Sequence, residues 1–258
     1  MFFHFRILLH SLIFFLILQF VSSDFVGGQF DSPTFLWLAT TAVVIFALLA
    51  YFYQVARRVA HSAKMTPIPV LLVISTFGLL YFVQSAKQEF LLILLSAVMY
   101  YFIHLAIYRL RGYQKDKTAR GIIAAGSIAT IFLFYATAYG IYLNFAISLW
   151  ILMFVLMTVT TLVSLQYFWL INDDKKNVLN FSLVLGFVMA EIVWVLNFWP
   201  FGYLTTGVIT LIFYYVFWDL VQCHFFNALS KKRVAMNMLI FAMLVAMVLS
   251  STRWLPVV

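Results

Sequence analysis

The chain alternates long apolar stretches with short polar ones. A helix that crosses a bilayer needs about 20 mostly apolar residues. Nine stretches meet that length: roughly Phe3–Val21, Phe35–Val55, Ile68–Gln84, Phe90–Tyr108, Ile122–Tyr139, Phe145–Ile171, Val178–Phe198, Tyr203–Phe226 and Val234–Ser251. The least marked division lies between the fifth and the sixth. No charged residue occurs across the 52 positions 121–172, too many for one span and enough for two. Tyr139-Gly140-Ile141-Tyr142-Leu143-Asn144 supplies the expected turn, with Gly for backbone freedom and tyrosines suited to an interface.

Charge gives these spans a direction. Fourteen of the 16 Lys and Arg residues follow or precede alternate spans: Arg6, then 57, 58 and 64, then 109–120, then 175 and 176, then 231–233. Only Lys87 and Arg253 fall on the other side. Basic residues are retained on the cytoplasmic side of a membrane. The expected fold is therefore all-α: a polytopic membrane helical bundle of about nine transmembrane helices, N-terminus in and C-terminus out. It has short loops and one transmembrane domain over residues 1–258. Met1–Ser23, a short basic opening, an apolar run and a small-residue end, also fits a cleavable signal peptide. The bulky run Phe14-Phe15-Leu16-Ile17-Leu18 and the lack of an Ala-x-Ala site favour an uncleaved first helix.

Composition agrees. Hydrophobic residues make up 66% of the chain, aromatics 19% and charged residues 9%. A soluble domain carries about 25% charged residues, so an ordinary globule, a disordered chain and a disulfide-rich module are all excluded. The net charge of +8 would raise nucleic acid in a soluble protein. Here the basic residues are used up in the loops, and the expected partners are the lipid bilayer and other membrane subunits, not nucleic acid. The single cysteine, Cys223, excludes an intrachain disulfide and any multi-cysteine metal site.

Candidate chemistry rests on a few ionisable groups inside spans. Six of the eight acids lie in loops or at span ends; Glu191 and Asp219 do not. A charged group at bilayer depth costs about 2.5–3.5 kcal/mol on insertion scales and usually faces a bundle interior or a wet cavity. Glu191 lies about 20 Å from the cytoplasmic end of its span and Asp219 about 12 Å from the same surface, too different for a close dyad. On their helices Glu191 shares a face with Phe187, Trp194 and Phe198, and Asp219 with Tyr215, Gln222, Cys223 and Phe226. The functional reading is a proton relay or a polar-substrate site; the plainer one is a hydrogen bond between helices. His104 and His224 lie near the inner ends of their spans, and His10 within the first. Asp219, Cys223, His224 and His104 would be the members of any metal site at that face. There is no HxxxH, HExxH or CxxC spacing, and the adjacent Cys223 and His224 point about 100° apart. No metal and no cofactor is expected, and the histidines read as snorkelling or interface groups.

Other features have structural readings. Thr160, Thr161, Ser164 and Gln166, among other polar residues in spans, are expected to bond their own helix or a neighbour. Gly121, Ala125 and Ala129, beside Gly126 and Thr130, form a small-residue face that lets helices approach closely. Asp173-Asp174-Lys175-Lys176 reads as a solvated turn. Trp199, Tyr203, Tyr139, Tyr142 and Trp254 fall near the outer boundary, as an aromatic belt should. GxSxG, P-loop and dinucleotide-binding patterns are absent, as are the paired Asp-rich motifs of prenyl-diphosphate enzymes.

The C-terminal third has a distinctive cadence. Glu191-x-x-Trp194-x-Leu196-Asn197-Phe198-x-Pro200 closes one helix, and Tyr214-Tyr215 sits within the next. Lys231-Lys232-Arg233 opens a last apolar helix that ends at Arg253-Trp254. Over residues 185–255 this resembles an uncharacterised bacterial membrane family, a domain of unknown function common in small-genome candidate-phylum bacteria. The resemblance implies a bacterial inner membrane and carries no activity, substrate or cofactor. Three functions compete: a non-enzymatic scaffold or subunit of a membrane complex, which is favoured; a small proton-coupled transporter using Glu191 and Asp219; and an intramembrane enzyme on a lipid-linked substrate.

Overall fold

The computed structural model describes residues 2–25, 35–145, 147–199 and 201–251, with side chains at 4–22, 45–145, 147–199 and 201–250. Asp31, Pro200, Arg253 and Trp254 lie outside these residues, as does the side chain of Asp24. All described secondary structure is helical: α1 Phe2–Phe25, α2 Phe35–Ala60, a 3-10 turn Ala63–Met65, α3 Pro67–Leu80, α4 Ala86–Gly112, α5 Lys117–Phe145, α6 Leu149–Phe168, α7 Lys175–Leu196, α8 Tyr203–Phe225 and α9 Lys231–Ser251. Eight segments of the described residues are long and apolar enough to cross a membrane. They cover every helix but α2, whose described side chains begin only at Ile45. The protein is a polytopic helical bundle.

Two boundaries differ from the sequence expectation. The turn predicted at Tyr139–Asn144 is helix, because α5 runs on to Phe145. Near its end the Asn144 side-chain amide adds a second donor to the Gly140 carbonyl at 2.8 Å, a bond within the helix's own last turns. Tyr139 is therefore a buried helix residue, 2% exposed, and not a belt residue. The third helix stops at Leu80, four residues before the predicted end at Gln84, in tight turns where Phe82 N–H reaches Leu79 and Val83 N–H reaches Leu80.

The helices form two compact units, Met1–Gly126 and Ser127–Val258, with the boundary inside α5. In the first unit α1 packs on α4, α2 on α3 and α4, and α3 on α4. Its centre is aromatic. Phe14 of α1 is fully buried, with ring centroids 5.3 Å from Phe52 and 4.8 Å from Tyr100. Ser11 of α1 donates to the Ala97 carbonyl of α4 at 2.7 Å. α3 is the shortest helix, 14 residues opening on Pro67 and Pro69; Pro is tolerated in a first turn, where its missing N–H costs nothing.

In the second unit α6 packs on α7, α7 on α8, and α8 on α9. The α6–α7 contact is the most extensive in the protein. Gly186 allows it: a Cβ there would meet Thr161 Oγ1 and would lie 2.9 Å from the Met157 carbonyl oxygen. The small-residue face expected on α5 is only partly used. Gly121 and Ala125 are exposed, and nothing approaches Gly121 within 4 Å; Gly126 is the close-contact position, where a Cβ would lie 2.7 Å from Ile103 Cγ1. A four-residue spacing of small residues marks a face that can pack, and the burial pattern places the packed face one position further along the helix.

The polar loop residues start helices. Asp174 caps α7: its Oδ1 accepts from the N–H groups of Lys176 and Asn177 at 3.1 and 3.3 Å. Asp116 does the same for α5, accepting from Ala119 N–H at 3.1 Å and pairing with Arg109 at 2.8 Å. These side chains occupy donors that a helix start leaves free.

Candidate functional site

The two intramembrane carboxylates have opposite environments. Asp219 is half-buried on α8 and accepts a hydrogen bond from the Asn237 side-chain amide of α9 at 2.6 Å. Cys223, one turn on, donates its thiol at 3.5 Å. Asp219 thus ties two helices of one hairpin together. α9 depends on such ties because none of its described residues is buried. Its other anchors are an edge-to-face contact between Phe213 and Phe241, 4.8 Å apart, and the packing of Val248 and Leu249 on Leu196, Phe201 and Ile209.

Glu191 is exposed. It sits on the face of α7 turned away from α6 and α8, among Val184, Phe187, Trp194, Val195 and Phe198, each 47–69% exposed. The opposite face carries Ser182, Gly186, Met189 and Val193, all buried. The helical spacing that groups Glu191 with Phe187, Trp194 and Phe198 is as expected; that group points outward. Glu191 has no hydrogen bond or ion pair among the described residues. Between Asn180 and Asn197 the exposed side of α7 holds no other polar side chain.

The histidines divide similarly. His104 is 1% exposed and donates from Nδ1 to the Tyr100 carbonyl of its own helix at 2.9 Å. Its Nε2 and the Tyr100 hydroxyl are both buried with no hydrogen-bond partner among the described residues. His104 is thus a core residue and does not reach the interface as snorkelling requires. His10 meets the Tyr51 hydroxyl at 3.0 Å between α1 and α2. His224 is exposed and lies against Phe181, with centroids 5.0 Å apart. Among the described residues no three His, Cys, Asp or Glu side chains are grouped so as to hold a metal ion.

Sequence reasoning missed two buried hydroxyl pairs in the second unit. Thr160 of α6 donates to the Leu156 carbonyl at 2.6 Å, so the Tyr135 hydroxyl of α5, also 2.6 Å from Thr160 Oγ1, is the donor between them. One turn along α6, Ser164 meets the Tyr214 hydroxyl of α8 at 3.2 Å. Tyr135 and Tyr214 are fully buried. Thr160 and Ser164 lie four residues apart, so the tyrosines of two helices converge on one face of α6. That spacing is visible in the sequence, but the identity of the partners is not. Asn237 was also missed. It is the only side-chain amide between Val234 and Ser251, and it stands six residues into α9 as Asp219 stands six residues before the end of α8.

The sequence that builds these membrane-length helices matches a known family. The family model described as "Protein of unknown function (DUF5656)" covers residues 18–252. The chain belongs to the DUF5656 family. The match begins inside α1 and reaches the last described residues of the chain, so it extends well beyond the C-terminal third that carries the resemblance in sequence. No curated protein matches the chain, and no solved structure does. The DUF5656 assignment thus brings a family without a recorded activity. Among the candidate residues, Glu191 alone lies within a candidate span without an explanation inside the fold.

Proposed function

We propose that this DUF5656 protein is a non-enzymatic subunit or scaffold of a bacterial inner-membrane complex, and that it engages another membrane-spanning chain through the outer face of α7. The observation that carries this reading is Glu191, exposed and unpaired within the candidate span Lys175–Leu196. A carboxyl group facing hydrocarbon is unfavourable unless it meets a donor. The side chains above and below it are apolar, so a donor supplied by a partner helix satisfies it best. Phe187 and Trp194, one turn to either side, would supply the packing around such a contact. The 14-to-2 division of basic residues supports an N-in, C-out orientation.

The transport reading uses the same carboxyl group but lacks support from its neighbours. Asp219, its expected companion, is held by Asn237, and α7 offers no second polar side chain beside Glu191. For the enzyme reading, no nucleophile, base and orienting group stand together among the described residues.

The test places a photo-crosslinking residue at Phe187 and, separately, at Phe154, an exposed aromatic of α6. Phe187 should give one stoichiometric adduct in native membranes and Phe154 none, and Glu191→Gln should abolish the adduct while yield and melting temperature hold. Recovery of a lone, monodisperse protein with no position-specific adduct would refute the subunit reading. Proton-driven uptake by proteoliposomes, lost in Glu191→Gln, would instead establish transport.

A further inference from the structure

The end of α2 carries a second feature, independent of α7. An open cleft of about 490 Å³ is lined by Gln54, Arg57, Arg58, His61, Ser62 and Ala63. We infer that this cleft binds a phosphate-bearing anion.

Three observations lead to it. The first is uncompensated charge. Arg57 and Arg58 are exposed in the last turn of α2 and form no ion pair among the described residues. The described acids of the first unit are Glu89 and Asp116. Asp116 is already bound by Arg109, and Glu89 begins α4 at the end opposite to Arg109. α1 fixes which end is which: His10 meets Tyr51 of α2, and His4, nearer the start of α1, meets Tyr108 near the end of α4. Among the described side chains of the first unit, the Arg57–Arg58 end therefore holds no free carboxylate.

The second observation is the backbone at His61, whose φ is 48°. After a helix the left-handed conformation is usually taken by Gly or Asn, because a Cβ makes it unfavourable. Histidine is among the non-glycine residues found there most often, and the turn it makes places His61 in the cleft lining. Its N–H closes the helix on the Arg57 carbonyl at 2.9 Å, and His61 lines the same cleft as Arg57 and Arg58.

The third is that the segment beyond is fastened. Ser62 Oγ accepts from Lys64 N–H at 3.3 Å, and the Thr66 hydroxyl donates to the Ala63 carbonyl at 2.7 Å. Local hydrogen bonds fix the cleft wall.

Two guanidinium forks, an imidazole, a hydroxyl and an amide form a donor set suited to a tetrahedral oxyanion. Arginine presents paired N–H groups that match phosphate oxygens. A basic cleft at the end of a membrane helix is where an anionic lipid headgroup would sit, and a soluble phosphate would meet the same donors.

The experiment uses the full chain in a neutral maltoside detergent. Binding is read by native mass spectrometry and by the rise in melting temperature, with dioctanoyl phosphatidylglycerol, dioctanoyl phosphatidylcholine and inorganic phosphate as probes. Phosphatidylglycerol should bind saturably and about tenfold or more tightly than phosphatidylcholine, and Arg57→Gln with Arg58→Gln should remove that difference. Lys115→Gln with Lys117→Gln, which alters another basic pair, should leave it intact. His61→Gly separates site from fold: it relieves the backbone and should hold or raise the unliganded melting temperature while weakening the anion. Saturation by inorganic phosphate, lost in the same arginine variant, would keep the site and make its ligand a soluble phosphate. Equal affinity for the two lipids with no phosphate binding, or equal loss in the Lys115/Lys117 variant, would overturn the inference.

Discussion

Asp219 and Asn237 stand six residues to either side of the hairpin loop that joins α8 to α9, and their side chains meet at 2.6 Å. In a hydrocarbon environment neither group has water to fall back on, so each is the other's main polar partner. Interhelical hydrogen bonds in membranes contribute about 0.6 kcal/mol on average and up to about 1.7. Asn237→Leu should therefore cost about 1 kcal/mol and speed hydrogen exchange in α9 before any other helix responds. Exchanging the pair, Asp219→Asn with Asn237→Asp, should restore protection. Unchanged α9 exchange in Asn237→Leu would show that the apolar anchors hold the helix alone.

At Gly186 the backbones of α6 and α7 come together over Thr161 and Met157. Gly186→Ala should lower stability by about 1–3 kcal/mol, the usual range for overpacking, despite alanine's better helix propensity. The same substitution at Gly121, where nothing lies within 4 Å, should be neutral or stabilising. Melting in detergent compares them directly.

Two buried tyrosines should respond with opposite sign to loss of the hydroxyl. The Tyr100 hydroxyl has no hydrogen-bond partner among the described residues, so Tyr100→Phe should raise stability by about 1 kcal/mol. Tyr135 donates to Thr160, so Tyr135→Phe should lower it by about the same amount. Parallel thermal unfolding of the two variants would show whether the hydroxyl pairs hold the second unit together.

Asp116 lies outside the membrane spans. The Ala119 N–H, and after it the Arg109 guanidinium, hold its carboxyl below the ordinary value of 3.8. A folded-state value below the unfolded one adds stability that is fully present above pH 3.8 and lost as pH falls through the lower folded value. Asp116→Asn should thus lower stability near neutral pH and flatten the acid limb of a melting-temperature profile. Parallel acid limbs for the two proteins would remove Asp116 from the titration.

Most of the helices were legible in the sequence because hydropathy and loop charge report directly on membrane crossing. The orientation of side chains around each helix was not. In a soluble helix the buried stripe is apolar and the outer face polar. In a membrane both faces are apolar, so Phe187 exposed and Met189 buried on α7 look alike in sequence. Glu191 was recognisable as misplaced, but its outward direction followed only from the packing of Gly186 and Val193 on the other side. The extension of α5 through Tyr139–Asn144 was hidden for a related reason. Gly140 and Asn144 are common turn residues, and only the backbone of α5, continuous to Phe145, shows that they lie in a helix. Asp219 needed Asn237, whose place in the hairpin is a matter of counting back from the loop.

The brevity of α3 bears on the membrane itself. Its 14 residues rise about 21 Å, while the hydrocarbon layer is about 30 Å thick. A lipid-facing helix of that length would force the bilayer to thin or the flanking residues to stretch. Most of α3 is instead enclosed, with nine of its residues buried in the packing against α2 and α4. The shortfall in thickness is thus absorbed by protein. The candidate span that holds α3 begins at Ala63, in the 3-10 turn before it, and irregular backbone at bilayer depth would need the same protein cover. In a bilayer, enclosure by α2 and α4 would spare α3 the mismatch that its length would otherwise impose.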